Sequence, residues 1–560
     1  MPAINTRHGI GVSPGIAVGP VVQVRPPVRP PEHEPASADP VEAGRQIRGI
    51  LESVAATLDD LAGRANPTAQ EILSATAMMA RDPGLASAAE KHLASGSGPA
   101  TAVDAATEEY CAMFSAAGGY LAERVTDLRD VRDRAVARLL GLQDPGVPEL
   151  TEPSVIVAHD LAPAETASLQ RDLVLAIVIE SGGPTSHTAI LAAQMGIPAV
   201  VQVPRAVSLD VGTVLAVDGS TGEVFVDPDP ETQAELVRRS ERRSSALGAI
   251  SGPGVTSDGH PVALLANIGT AADAERAGRL DVEGVGLFRT EFLFLDRETA
   301  PTLDEQVAVY TQVFEAFGLR RVIVRTLDAG ADKPLAFADL GPEDNPALGR
   351  RGLRLSAERP DLLDTQLAAL GSAAVATGAD VRVMAPMVAT AEEAAWFARR
   401  VREHGLPVVG VMIEVPAAAL RSRHVLAEVD FASIGTNDLA QYTLAADRMQ
   451  GQLATLLDPW QPAVLDLIAA ACDGGRDQGK PIGVCGEAAA DPLLALVLTG
   501  LGVSSLSMAP TRVPAVRAAL AMHDLRACTA MAAAARAARC PQDARGAALG
   551  LANKLIADLI

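Results

Sequence analysis

Between residues 262 and 510 the sequence carries eight short apolar runs, each followed by a stretch with helical periodicity. They are VALLANI, GVGLFR, RVIVRTLD, VRVMAPMV, VVGVMIEV, FASIGTND, PIGVCGE and LSMAP. Short runs of this kind, alternating with helices, read as buried parallel strands, and eight of them are the number a (β/α)8 barrel needs. The polar and charged residues stand at the C-terminal ends of the runs. That is the face on which such a barrel carries its site.

The sequence before the barrel divides differently. HGIGVSPGIAVGPVVQV (residues 8–24) mixes Gly, Pro and β-branched residues and reads as short strands with turns. A Pro- and acid-rich linker follows, and from Val41 to Leu142 the pattern is Ala/Leu-rich and helical, as in an antiparallel bundle. Strand-like runs return at SVIVAH and LAIVIE and end near VFVDPDP. The expected architecture is therefore multidomain. Residues 1–32 and 146–228 form an α/β domain, with a helical bundle (33–145) inserted in it. A charged linker helix (229–254) leads to the barrel (255–560). No internal repeat is visible.

Composition removes several function classes. Net charge is −22, which argues against general nucleic-acid binding. An anionic substrate must then meet a local cluster of Arg and Lys. The five cysteines, Cys111, Cys472, Cys485, Cys528 and Cys540, show no CxxC pair and no zinc-like spacing. The start has no signal-peptide pattern, and no apolar run is long enough to span a bilayer, so a cytoplasmic protein without membrane insertion is expected.

In GGPTSHTAILAAQMG a histidine follows directly on a glycine turn. Ser186 is a candidate N-cap, which sets His187 in the first turn of a helix, where free backbone N–H groups and the helix dipole favour a phosphate. A neutral imidazole is a good nucleophile near pH 7. A lone histidine near a helix start is more often a cap or a surface residue. The whole string GGPTSHTAILAAQMGIPAVV, however, resembles the phosphohistidine signature of the phosphoenolpyruvate-utilising enzymes. One difference is Ala193, where the family usually has Arg.

Further strings in the barrel resemble the same family: EGVGLFRTEFLFLDR, VIVRTLDAGADKP, NPALGRRGLR, VMIEVPAAA, DFASIGTNDLAQYTLAADR and PIGVCGEAAADP. The resemblance implies that Arg289, Arg325, Asn437 and Arg448 bind phosphoenolpyruvate, with Lys333 and Arg351 as further contributors. It implies magnesium on Glu414 and Asp438, the latter also at the substrate. Arg350 stands where the family usually has Trp. The residue types suit the chemistry. Phosphate and carboxylate both take bidentate Arg, two carboxylates suit a magnesium ion, and departure of the phosphoryl group leaves an enolate that needs a proton, which Cys485 could supply as a general acid. Taken singly, an Arg is usually a surface charge and a cysteine a small buried apolar residue.

Domain order narrows the resemblance. The dikinase and synthase branches place a large ATP-binding domain before the histidine domain, whereas only about 150 residues precede it here, with no GxxxxGK[ST] loop. A bundle inserted in the small domain matches the branch that passes its phosphoryl group to the histidine phosphocarrier protein HPr in sugar uptake. Thr76 and Arg81 in the bundle replace a His and an acidic residue of relatives. The resemblance also implies a homodimer through the barrel and a swing of the histidine domain about the linker near residues 230–250. A different carrier, or a paralogue that only senses phosphoenolpyruvate, remains the alternative reading.

Overall fold

The structure, a computed structural model, describes residues 5–559 except 65–66, 118–123, 149, 162–168, 170, 184–187, 190–191, 193–194, 249, 296, 330–334, 339–340, 342 and 449. It comprises two compact units, Met1–Ser240 and Glu241–Ile560.

The first unit holds an eight-stranded sheet. Its strands are β1 (Asn5–His8), β2 (Ile10–Ser13), β3 (Ile16–Gln23), β4 (Ser154–Ala158), β5 (Val174–Ile179), β6 (Ala199–Val201), β7 (Val214–Asp218) and β8 (Glu223–Val226). The order is β1-β8-β7-β3-β4-β5-β6-β2, with β3 to β6 parallel and the flanking pairs antiparallel. β4 and β5 are Val/Ile-rich and almost wholly buried, as central parallel strands must be. Among the described residues, five helices interrupt the sheet between β3 and β4: α1 (Pro40–Arg64), α2 (Pro67–Ala80), α3 (Pro83–Ala94), α4 (Pro99–Ala117) and α5 (Val125–Leu139).

The helices bury their own core, with Ile47, Leu51, Val54 and Leu58 of α1 against Leu85, Leu93, Leu128 and Val131. Alanines such as Ala77, Ala100 and Ala106 fill the remaining layers, which is how a chain with 3% aromatics closes a bundle. Asp82 caps α3, accepting from the Gly84 amide at 2.6 Å, and Pro83 follows at the first helical position. Thr76 is buried, and Arg81 is held by Glu52 and Asp59 at 3.0 and 2.7 Å. A sixth helix, α6 (Pro230–Gly248), contains the division between the units.

The second unit is a closed parallel barrel, as the eight apolar runs require. Its strands are β9 (Ala263–Ile268), β10 (Gly284–Arg289), β11 (Arg321–Arg325), β12 (Val381–Ala385), β13 (Val409–Ile413), β14 (Phe431–Gly435), β15 (Ile482–Cys485) and β16 (Ser505–Met508). Seven of the observed strands lie within their sequence-predicted runs, and β16 begins one residue before LSMAP, at Ser505. Capping boxes start the helices at Thr270, Thr302 and Thr390, where the hydroxyl and an acidic residue three positions on satisfy each other's backbone amides. No helix among the described residues is long and apolar enough to cross a membrane.

Candidate active site

Barrel register brings the candidate residues to one mouth. Arg289 closes β10 and Arg325 closes β11, opposite each other in the ladder. Glu414 follows β13, Asn437 and Asp438 open the helix Thr436–Leu444 after β14, and Cys485 ends β15 opposite Gly435. Cys485 is thus the last residue of a strand rather than part of the loop beyond it.

The guanidinium groups there are held by buried carboxylates. Arg325 pairs with Glu291 at 3.0 Å and with Asp328 at 3.2 Å, and reaches Glu414 at 4.0 Å. Arg351 bridges Asp328 at 2.9 Å and Asp438 at 3.0 Å, and Arg448 approaches the other Asp438 oxygen at 3.6 Å. Removing such charges from water is costly unless they are paired, so the network fixes each side chain in one position. Arg289 is exposed at the mouth, and its pKa is lowered first by the protein packed around it and then by Arg325.

Glu291 and Asp328 stand inside the quoted strings, beside the arginines, but are not among the sequence-predicted site residues. Glu291 also accepts from the Asp328 amide at 3.0 Å. The pairing crosses strands, since Glu291 follows Arg289 yet binds Arg325, and local sequence carries no signal for that.

Glu414 is an acid whose ionised form is disfavoured. It is buried, accepts from the Met387 amide at 2.8 Å, and its carboxyl is pushed up to about 8, first by burial and then by Asp438 and Asp328. Met387 holds that amide in place with a left-handed backbone, φ 59°, uncommon for a residue with a side chain. Cys485 is buried, its Sγ 3.5 Å from the Ile434 carbonyl oxygen; burial pushes its pKa up, so it stays a protonated thiol at neutral pH. Asn437 is exposed. Arg350 lies outside the cluster, on Glu343 at 3.0 Å and Glu358 at 3.5 Å.

Two observations bear on a ligand. Among the described residues the buried Arg325 Nε and Thr436 Oγ1 atoms have no hydrogen-bond partner, donors left for a polar group. Asp438 and Asp328 beside Glu414 make its ionised form unfavourable, and a cation there would offset that charge. Among the described residues no three such side chains form a ready-made metal cage. Two carboxylates alone suit magnesium, which keeps waters and takes substrate oxygens. His187, Ala193 and Lys333 lie outside the described residues.

Residues 249–525 match the PEP-binding domain of the PEP-utilising enzymes, residues 8–124 their N-terminal domain, and residues 150–222 their mobile domain. A phosphoenolpyruvate-protein phosphotransferase of Streptomyces coelicolor is 54% identical over 97% of this chain and 98% of its own. The chain belongs to the phosphoenolpyruvate-utilising enzyme family. A Haloferax volcanii phosphoenolpyruvate-protein phosphotransferase is 40% identical over 93% of this chain and 94% of its own. A solution structure described as Enzyme I (nEIt) is 30% identical over 42% of this chain and 99% of its own, with a TM-score of 0.38.

Proposed function

We propose that this chain is a phosphoenolpyruvate-protein phosphotransferase that draws the phosphoryl group of phosphoenolpyruvate onto the imidazole of His187. It then hands that group to the histidine of HPr as the first step of sugar uptake, with pyruvate as the other product. The observation that carries this reading is the meeting of Arg289, Arg325, Arg351 and Arg448 with Glu414, Asp438 and Cys485 at one barrel mouth.

The arginines bind the phosphate and carboxylate of the substrate, with Asn437 and Lys333 as further contacts, and oppose charge spread over the transferring group. Glu414 and Asp438 would hold magnesium, which would supply positive charge to offset that of the phosphoryl oxygens. The His187 nitrogen attacks phosphorus, the P–O bond to the enol carbon's oxygen breaks, and its electron pair leaves with pyruvate enolate. The Cys485 thiol protonates the enolate carbon, and the thiolate regains its proton from solvent. A thiol kept neutral by burial is the form this step needs.

The setting is a cytoplasmic homodimer joined through its barrels. A different carrier is the second reading, favoured by the buried Thr76 and the acid-bound Arg81 on the bundle. Radiolabelled phosphoenolpyruvate with magnesium should leave an acid-labile label on the wild type and none on His187→Ala. Label that survives the substitution refutes the assignment. Label that forms normally but does not move to purified HPr selects the different carrier.

A further inference from the structure

The opposite end of the barrel is only partly filled by its apolar interior, in which Ile323 and Phe431 pack with Met384 and Met412. A (β/α)8 interior is ordinarily packed with layers of bulky branched side chains. Here the N-terminal half encloses a cavity lined by Leu265, Ile323, Phe431 and Val484 on one part and by Gly286, Ser433, Gly483 and Ser505 on another, with Arg321 and Arg382 beside them. The empty space, mouth included, is about 410 Å³. The glycines make room for the serines of β16. A Cβ on Gly483 would stand 2.5 Å from the Ser505 hydroxyl, and one on Gly286 2.4 Å from that of Ser507.

Arg321 opens β11 and Arg382 stands near the start of β12, so two like charges face one opening. Burial and then Arg382 lower the Arg321 pKa, opposed by Glu283 and Asp380. Both acids are committed elsewhere. Asp380 binds Arg382 at 2.7 Å, and Glu283 accepts the Gly254 and Leu264 amides, each at 2.9 Å. Among the described residues the Arg321 guanidinium and the Ser505 hydroxyl have no hydrogen-bond or ion-pair partner. The Arg321 and Ser505 donors, on separate strands, are therefore left beside this space, while Arg382 has its Nε and Nη2 on Asp380.

We propose that this N-terminal mouth is a second anion site that binds a phosphate group through Arg321, Arg382 and Ser505. A tetrahedral dianion has enough acceptor oxygens for guanidinium and hydroxyl donors approaching from several sides, whereas a carboxylate has two. The site lies at the opposite ends of the strands from the phosphoenolpyruvate site.

The test is calorimetric titration of full-length Arg289→Ala protein, whose phosphoenolpyruvate site is weakened, with inorganic phosphate in the absence of magnesium. Saturable binding is expected, weakened at least about tenfold by adding Arg321→Met and severalfold by adding Ser505→Ala, with acetate binding more weakly than phosphate. Equal phosphate affinity in both double variants overturns the site, as does no saturable binding to an Arg289→Ala protein with wild-type circular dichroism. Acetate binding as tightly as phosphate overturns the assignment to phosphate. Arg321→Met and Ser505→Ala alone should keep labelling from phosphoenolpyruvate at the wild-type rate, so this proposal and the proposed function fail separately.

Discussion

Asp328 accepts from Arg351 at 2.9 Å, and the same carboxylate oxygen lies 3.2 Å from Arg325, with all three side chains buried. One acid therefore sets two of the arginines that stand at the phosphoenolpyruvate mouth. Asp328→Asn keeps the shape and removes the charge, leaving two guanidinium groups with less compensation. Losing one partner of a buried ion pair costs about 3–5 kcal/mol. The expected outcome is a lower melting temperature and a raised KM for phosphoenolpyruvate. A variant with wild-type KM and melting temperature would show that Asp328 does not position the arginines.

Glu414 gives the stability a pH dependence with a definite sign. Its carboxyl is raised from 4.5 to about 8 in the folded protein, by burial first and then by Asp438 and Asp328. Between those values the folded chain holds a proton that the unfolded chain has released. The folded state binds more protons there, so stability falls as pH rises from about 4.5 to about 8. Thermal denaturation in chelator at pH 5, 6.5 and 8 should show this fall in the wild type and a shallower one in Glu414→Gln. Magnesium at pH 8 should raise the melting temperature of the wild type alone. Identical slopes in the two proteins would rule out Glu414 as the source.

Cys485 is the proton donor of the proposed reaction, and its burial keeps the proton on sulfur. Cys485→Ala retains the arginines and the carboxylates but has nothing to protonate the enolate. Pyruvate formation should fall by about 10²–10⁴-fold, with little change in KM for phosphoenolpyruvate. Stopped-assay measurement of pyruvate decides it, and an unchanged kcat would remove Cys485 from the chemistry.

The barrel was legible because each of its strands is a short apolar run followed by helical sequence. VIVR and GVGLFR announce both the strand and the arginine that closes it. What was not legible is the partner across the ladder. Glu291 sits two residues from Arg289 but binds Arg325, and Asp328 binds Arg351, which lies 23 residues away. The cavity at the N-terminal end of the barrel was hidden for a related reason. Gly286, Gly483 and Ser505 look like weak points in strands until the barrel closes and turns them all inward. The resemblance supplied the roles of Glu414 and Cys485; their burial and the left-handed Met387 that orients Glu414 came only from the fold.

Gly435 links the fold to the proposed magnesium site. It closes β14 with an ordinary extended backbone, φ −89°, so alanine there carries no conformational strain. The obstacle is space. A Cβ at this position would lie 2.6 Å from Glu414 Oε1 and 2.7 Å from its Cγ, closer than van der Waals contact allows. Glu414 cannot move freely to relieve this, since its other oxygen is held by the Met387 amide at 2.8 Å. Gly435→Ala should therefore turn the carboxylate away from Asp438 and weaken magnesium binding more than substrate binding. Titrating magnesium at saturating phosphoenolpyruvate, the half-saturating concentration for pyruvate formation should rise at least about tenfold, the scale of moving one ligand of a metal site. KM for phosphoenolpyruvate at saturating magnesium should change far less. An unchanged magnesium requirement in a variant that folds normally would mean that Glu414 is not a metal ligand.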